Sequence, residues 1–252
     1  MHAYKKYRIT GCAFGRYTMK TNEKKQSVLQ RLKSELISKL SVRRTVVYFL
    51  GFLLIAVGVS ISTKSSLGVS PVNSIPYTVC LLTGFEQGMC TTVFFLLLIV
   101  VQFLISPKDF SILSFGQMVC SFVFGWFVTL ANFCMAGIPV PESYPLKMLY
   151  IIISLFFIAV GVFLYINADL LPLPAEGVML AFSRRTGIAF HTCKVGFDCS
   201  VVVIAALISL IVRGELIGVR EGTVIAAVFV GVLIKPIAKF FLRRLRVFLG
   251  ME

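Results

Sequence analysis

The chain has 252 residues, of which 58% are hydrophobic and only 14% are charged. Its mean hydropathy of +0.91 leaves too little polar surface to coat a soluble globule of this length, so the composition predicts an integral membrane protein. The formal net charge is +14, but the basic residues are concentrated towards the two ends. This placement argues against nucleic-acid binding and predicts that both termini are cytoplasmic, because basic residues flank membrane spans on that side.

Both ends of the chain are predicted to lie outside the membrane core. Residues 1–26 have no period and little apolar content, which indicates a disordered basic leader, with Met19 as an alternative start to Met1. Residues 27–44 favour an amphipathic helix on the inner leaflet, held by anionic lipid, or alternatively a helix that docks a partner. Residues 241–252 are predicted to form a basic cytoplasmic tail.

An internal repeat organises the rest of the chain. The five residues Ile55–Val59 (IAVGV) return as Ile158–Val162, at an offset of 103 residues. Carried forward, the same offset pairs Leu67 with Leu170, Pro71 with Pro174, Gly84 with Gly187 and Cys90 with Cys193. Self-similarity at a fixed period indicates one structural unit written twice. We therefore predict two membrane repeats, at 45–137 and 148–240.

Each repeat contains three apolar runs, and most of the runs approach the ~20 residues needed to cross a ~30 Å hydrocarbon core. They are 45–62, 89–105 and 112–136 in the first repeat and 148–166, 195–212 and 223–234 in the second. Gly51 and Gly58 lie seven residues apart on the first span, and Ser154 and Gly161 take the equivalent places in the second repeat. Small residues allow helices to approach closely in lipid, so these two spans are predicted to pack tightly, with each other as candidate partners.

Each repeat also contains a polar or Pro-interrupted segment followed by a helix that is too short to be an ordinary span. Residues 63–70 and 166–173 are polar or interrupted by proline, and they lead into Pro71 and Pro174, which suit the first position of a helix. The paired glycines of the repeat are the natural stops. A helix of about 13 residues is roughly 20 Å long, which is shorter than the ~30 Å core.

Two topologies fit these short helices. If each forms a re-entrant hairpin with the segment before it, each repeat crosses the membrane three times and the two repeats are inverted. If each is a broken span, each repeat crosses four times and the repeats are parallel. The few Lys and Arg residues of the loops do not separate the two, and the weakness of the short segments as spans favours inversion. The sequence therefore predicts an all-α, polytopic transmembrane helical bundle of two four-helix repeats, each with three spans and one short helix.

The starts of the short helices carry the candidate substrate site, formed by Ser70, Asn73, Ser74, Glu176 and Gly177. Interrupted segments at matching places in two repeats indicate the midplane binding site of a transporter. Ser70 is a candidate helix cap, and free N–H groups at both starts favour an anionic or zwitterionic solute. Glu176 adds a negative charge there and favours a proton or a cation instead. The alternative is a closed core in which these side chains and water satisfy the helix ends.

Three ionisable residues near the start of a later span, His191, Lys194 and Asp198, form a second candidate site. Charged groups within a membrane indicate function by default. One hypothesis is a proton or charge relay through these residues. The alternative is an i, i+4 ion pair between Lys194 and Asp198 that partly neutralises both.

The motifs HExxH and GxSxG and a Gly-rich phosphate loop are absent from the sequence, and its histidines and cysteines show no metal-ligand spacing. We therefore expect neither catalysis nor a metal or cofactor. The leading hypothesis is a transporter of a small solute or ion, and the alternative is a non-catalytic scaffold or an accessory subunit of another membrane complex. The expected partners are the lipid bilayer and the solute, and the sequence does not decide whether the protein forms a homo-oligomer.

The residues also resemble a known family, the YczE/YitT-like multi-pass membrane proteins of bacteria, and its YczE branch most. The similar features are the IAVGV end of the first span, Leu67–Pro71, Thr83–Gly84, and Gly222–Thr223 followed by Gly231. Where the family often carries a polar Asn on the fourth helix of its first unit, this chain has Cys120. The resemblance implies a multi-pass protein of the bacterial plasma membrane and supplies no established substrate.

Overall fold

The structure is a computed structural model that describes residues 41–107 and 112–250. This part of the chain contains eight α-helices and no strand. They are α1 (Val42–Ser65), α2 (Pro71–Thr83), α3 (Gln87–Ile105), α4 (Ile112–Met135), α5 (Tyr144–Ala168), α6 (Pro174–Thr186), α7 (Phe190–Arg213) and α8 (Glu221–Leu249). The prediction of an all-α fold is confirmed.

Six of the eight described helices are long and apolar enough to cross a membrane, namely α1, α3, α4, α5, α7 and α8. The other two, α2 and α6, have 13 residues each and are about 20 Å long at ~1.5 Å per residue. The predicted set of six spans and two short helices is therefore present. Spans of this length and composition imply contact with the lipid bilayer.

Several helix boundaries differ from the predicted ones. α1 begins at Val42, so the end of the predicted interfacial helix is the first turn of a span, while residues 1–40 lie outside the described residues. α8 passes through Pro236 without ending and continues to Leu249, so most of the predicted tail 241–252 is helical. Proline removes one i to i−4 hydrogen bond, a loss that membrane helices tolerate when their neighbours or water satisfy the freed group.

The two short helices have the same local design. Each has proline in its first turn and ends at a glycine in the left-handed conformation, with φ of 74° at Gly84 and 75° at Gly187. The N–H of each glycine donates to a carbonyl of the last turn, Cys80 O or Ser183 O. The left-handed conformation is favourable for glycine because it has no Cβ, which explains why both helices stop where the sequence predicts.

The crossing of α1 and α5 is built from small residues. A Cβ added to Gly51 would lie 2.8 Å from Gly161 O, and a Cβ added to Gly161 would lie 2.6 Å from Gly51 O. Two turns further along, Gly58 faces Ser154 O and Ile158 in the same way. The prediction that these two spans pack tightly against each other is confirmed, because the two backbones come too close for any larger side chain.

An aromatic cluster fills the space next to this crossing. The rings of Phe95 and Phe124 stack with centroids 5.5 Å apart, and Phe52 meets Phe124 edge-on at 5.6 Å. Tyr48 continues the cluster with its centroid 4.5 Å from that of Phe52. All four side chains are buried. Ring pairs in these geometries stabilise the packing beyond the area they bury, so α1, α3 and α4 form a firm wall.

The short helices pack on the same pair of spans. α2 contacts α3 and α7, and α6 also contacts α3 and α7. The spans α3 and α4 pack against each other, and so do α5 and α8. The two short helices are therefore held by a shared pair of long ones, and this arrangement brings their starts to one place.

Candidate functional site

One cavity of about 260 Å³ lies among the described helices, and all eight of them contribute to its wall. Most of the wall is apolar. The polar side chains that line it are Ser70, Asn73, Tyr165, Glu176, Lys194 and Asp198. A mostly apolar pocket with a few convergent polar groups is the usual form of a small-molecule site.

The starts of both short helices line this cavity. Ser70, Pro71 and Asn73 contribute from α2, and Ala175 and Glu176 contribute from α6. Asn73 and Glu176 occupy the same position in their helices, two residues after the initial proline. The structure therefore brings together the two groups of residues that the repeat pairs in sequence.

The start of α2 presents an amide group to the cavity. Asn73 is only 5% exposed, and its Nδ2 donates a hydrogen bond of 2.8 Å to Ser70 Oγ. Its Oδ1 is buried without a hydrogen-bond partner in the described part of the chain. Ser70 occupies the cap position, but its side chain makes no capping bond to the backbone. The predicted capping role of Ser70 is therefore wrong, because its hydroxyl is engaged by Asn73 instead.

The start of α6 presents a carboxyl group. Glu176 accepts a hydrogen bond from the hydroxyl of Tyr165, a residue of α5 that also lines the cavity. Tyr165 is 3% exposed, so this bond is made away from bulk solvent. A hydrogen bond from a fixed donor holds the carboxyl in one orientation. The sequence analysis missed Tyr165, although a tyrosine near the end of an apolar span is a signal that could have found it.

Ser74 and Gly177 lie behind the cavity rather than in its wall. Ser74 is fully buried, and its hydroxyl is 3.4 Å from Ser70 O. Gly177 faces two glutamine side chains, those of Gln102 on α3 and Gln117 on α4, which leave no room for a Cβ. The structure therefore gives these two predicted site residues packing positions, and neither is among the cavity-lining residues.

The second predicted site is divided by the structure. Lys194 Nζ lies 3.1 Å from Asp198 Oδ2, which confirms the i, i+4 pair, and both residues line the cavity. The other oxygen, Asp198 Oδ1, is buried and has no hydrogen-bond partner among the described residues. His191 is exposed and its ring lies 3.2 Å from the hydroxyl of Thr192. It is not among the cavity-lining residues, so the contacts of this structure do not join it to Asp198.

The irregular segment before α2 has its carbonyl groups satisfied by neighbours. Leu67 O accepts a bond of 2.8 Å from the N–H of Gly222 at the start of α8, and Gly68 O accepts a bond of 2.8 Å from the hydroxyl of Ser62. Non-helical backbone at membrane depth is stable only when protein or water satisfies it. This segment therefore meets the requirement through α1 and α8.

The irregular segment before α6 is satisfied by side chains. Tyr48 Oη donates to Leu171 O at 2.9 Å, and Gln117 Nε2 donates to Pro172 O at 3.1 Å. The sequence analysis missed both donors. The available signal was an isolated polar residue within each apolar span, a residue type that is rarely placed in lipid without a partner.

The side chains that line this cavity offer charged and polar groups to a small molecule. Two carboxyl groups, one ammonium group, one amide and two hydroxyls converge on an apolar space. In the described residues, no group of three or more His, Cys, Asp or Glu side chains is placed to hold a metal ion. The polar groups are thus suited to orienting one small polar molecule against an apolar wall.

Comparison with known proteins places the chain in a family. Residues 42–239 match the sequence profile of DUF6198, described as a family of unknown function. The chain is also 23% identical over 198 residues to the uncharacterized membrane protein YczE of Bacillus subtilis (strain 168), a match that covers 77% of this chain and 85% of that protein. No solved structure matches the chain. The resemblance read from the residues is confirmed, and the chain belongs to the DUF6198 family of YczE-like membrane proteins.

Proposed function

We propose that the protein is a membrane transporter, without enzymatic activity, that carries a small polar solute through the cavity. The observation that carries this proposal is that the starts of both short helices line one cavity. Paired interrupted helices meeting at a shared cavity are the usual architecture of a secondary transporter's binding site. A scaffold needs no cavity of this kind, so the polar groups in its wall favour transport over the scaffold alternative.

We further propose that the two repeats are inverted, with three crossings each. Lys64 Nζ, near the end of α1, donates to Ile138 O in the segment after α4, at 3.0 Å. With three crossings per repeat, α1 and α4 end on the same side of the membrane. With four, they end on opposite sides. The contact therefore supports the inverted arrangement.

A contact in the second repeat supports the same topology. Arg185 Nη1, at the end of α6, donates to Ile105 O at the end of α3, at 2.6 Å. These two ends share a side only if the short helices do not cross the membrane. Arg43, at the start of α1, lies 3.5 Å from Phe248 O near the end of α8. The basic ends of the chain then lie together, and the positive-inside rule assigns that side to the cytoplasm.

This topology suits an alternating-access mechanism. Two inverted halves around one central site interchange their conformations when the site opens to the opposite side of the membrane. The cavity wall includes Phe190 and Lys194 from the first turns of α7. In the inverted arrangement these turns are on the cytoplasmic side, so the wall of the cavity extends towards that side.

Uptake into proteoliposomes tests the transport proposal. Purified protein would be reconstituted and offered a panel of labelled small solutes, comprising aliphatic and aromatic amines, amino acids and carboxylates. We expect at least one solute to accumulate above the level in protein-free vesicles. The double variant Asn73→Ala with Glu176→Gln should then lose most of that uptake, because it removes the polar groups at both helix starts.

The matched control is Asn167→Ala with Glu221→Gln. Asn167 donates to Phe163 O within its own helix, and Glu221 is an exposed carboxylate in the first turn of α8. Neither lines the cavity, so this variant should transport at the wild-type rate. Equal uptake by the cavity variant and the wild type would contradict the site. Absence of uptake for every solute of the panel would favour the scaffold alternative.

A further inference from the structure

We infer that the solute is a small organic cation: a primary or secondary ammonium group on an apolar body, bound through its N–H donors by Asn73, Glu176 and Asp198. The inference rests on the proposed function for the statement that this cation is transported. The statement that the cation binds rests only on the cavity.

The unpartnered atoms of the cavity are hydrogen-bond acceptors. Two buried side-chain atoms of the described cavity-lining residues have no hydrogen-bond partner, Asn73 Oδ1 and Asp198 Oδ1, and both are oxygens. A buried acceptor without a donor is costly, so native structures pair nearly all of them. A ligand with N–H donors beside Asn73 and Asp198 would satisfy these acceptors, and a primary or secondary ammonium group brings three or two such donors.

The formal charge of the wall is negative. Glu176, Asp198 and Lys194 are the charged residues that line it in the described part of the chain. Lys194 is paired with Asp198, and its side chain is 51% exposed, so it offsets one carboxylate at most. Tyr165 donates a neutral hydrogen bond to Glu176 and cancels no charge. The excess carboxylate favours a monovalent cation.

The helix starts are weak anion sites here, although the sequence alone favours an anion or a zwitterion. Pro71 and Pro174 have no N–H group, which removes one donor from each start. The N–H of Asn73 is already bonded to Ser70 O at 2.9 Å. At the other start, Glu176 itself occupies the positive end of the helix dipole. At the start of α6, a fractional dipole charge of about +0.5 does not outweigh the formal charge of the Glu176 carboxylate in the same turn.

The wall and the size of the cavity select an organic cation over a metal ion. Divalent metal ions such as Ca²⁺ take about six to eight oxygen ligands, and the wall supplies few beyond the two carboxylates. Phe95, Phe124 and Phe190 line the cavity instead, and aromatic rings attract ammonium groups as well as apolar bodies. The volume of about 260 Å³ lies below the range of about 300–1,000 Å³ that is common for drug-sized ligands, so the solute is small.

Calorimetric binding to the purified full-length protein tests the inference with four probes of similar shape. They are 2-phenylethylammonium, its N,N,N-trimethyl analogue, 3-phenylpropanoate and phenylalanine. We expect 2-phenylethylammonium to bind and the trimethyl analogue, which has the same charge and no N–H, to bind at least tenfold more weakly. We expect no binding of 3-phenylpropanoate. Tighter binding of the carboxylate, of the zwitterion or of the trimethyl ion than of the primary amine would overturn the inference.

Variants then locate the bound amine. Glu176→Gln should weaken 2-phenylethylammonium binding at least tenfold, Glu176→Asp should retain most of it, and the exposed Glu221→Gln should leave it unchanged. Equal affinity of the wild type and Glu176→Gln, with both monodisperse on size exclusion, would overturn the assignment of the site. The comparison of probes on the wild type stands even if a variant does not fold.

The same experiments separate this inference from the proposed function. If the amine binds and is not taken up by proteoliposomes, transport of this solute fails and the ligand class stands. If another solute is taken up in a manner that depends on Asn73 and Glu176, and the amine neither binds nor competes, the ligand class fails and transport stands.

Discussion

The two short helices have the same backbone frame and different chemistry. α2 and α6 have equal length, a proline in the first turn, a left-handed glycine at the end, and the same two spans as neighbours. At their matched third position one carries Asn73 and the other carries Glu176. The two helices thus share the same backbone geometry, whereas only α6 carries an acidic residue at the matched position. Two helices with matched backbones can therefore line one cavity and still present a neutral group on one side and an acidic group on the other.

The segments before these helices show the same contrast. The first is satisfied by the backbone of α8 and by Ser62, and the second by the side chains of Tyr48 and Gln117. The physical demand is the same in both, namely a donor for each exposed carbonyl at membrane depth. The donors that meet it share neither residue type nor chain position. The matched backbones of the two segments therefore determine where hydrogen-bond donors must lie, but not which residues supply them.

The largest expected effect comes from disrupting the crossing of α1 and α5, beside which the cavity lies. Gly161→Leu places a side chain against the backbone of α1 at the crossing of α1 and α5, where even a Cβ would lie 2.6 Å from Gly51 O. We expect a loss of at least about 3 kcal/mol of stability, because the clash involves main chain that cannot move aside. Fluorescence-detected size exclusion after heating measures it. Gly196→Leu on α7, where the added Cβ meets no atom within 4 Å, should behave as wild type.

A smaller effect is expected when the carboxyl group is moved from one short helix to the other. Glu176→Asn should weaken 2-phenylethylammonium binding by about 10- to 100-fold, because a charged hydrogen bond contributes about 1.5–3 kcal/mol. Adding Asn73→Glu should recover part of the affinity, since the matched position lines the same cavity. Calorimetry measures both variants. A double variant as weak as the single one would show that the two starts do not reach the same ligand.

Removing a hydrogen-bond donor from either irregular segment should lower the free energy of unfolding by a similar amount, although the donors are different residues. Gln117→Leu leaves Pro172 O without its donor, and Ser62→Ala does the same to Gly68 O. Each change should destabilise the protein by about 1–3 kcal/mol, the cost of an unsatisfied buried polar group. Thermal unfolding in detergent measures the two. Ser200→Ala, which removes an exposed bond to Gly196 O, is the control, and a loss confined to one segment would break the equivalence.

The smallest effect is expected at the ends of the short helices, where the two should be indistinguishable. Gly84→Ala and Gly187→Ala meet no steric clash but must adopt positive φ. Each should cost about 1 kcal/mol, the penalty for a side chain in the left-handed region. Equal shifts in the midpoint of thermal unfolding are expected. A clear difference between the two would indicate that the frames are not matched. Gly137→Ala, with neither clash nor positive φ, should change nothing.

The parts of the fold that the sequence predicts are those controlled by local signals. Proline and glycine set the ends of α2 and α6 through their own backbone preferences, and small residues mark the α1–α5 crossing. The topology was not decided by sequence, because the loops carry too few charges for the positive-inside rule to discriminate. Contacts between helix ends, such as that of Lys64 with Ile138 O, support the inverted topology that we propose.

The parts of the candidate site that were missed depend on distant neighbours. Tyr48 and Leu171 are separated by 123 residues along the chain, and Gln117 and Pro172 by 55. A single polar residue in an apolar span has no visible partner until the helices are packed. Ser70 was assigned to the wrong bond for a similar reason, since only the packed structure brings the amide of Asn73 to its hydroxyl.

Pro236 marks a point at which α8 can bend. Because proline has no N–H, the carbonyl four residues earlier, that of Val232, lacks its usual helical donor, and the rod is softer there than elsewhere. Val230, Gly231 and Ile234 of the same stretch line the cavity. Before this point α8 packs against α5 through Ala226, Val230 and Leu233, and after it the helix is held by the buried Leu249. Such a joint would let one wall of the cavity move with little loss of packing.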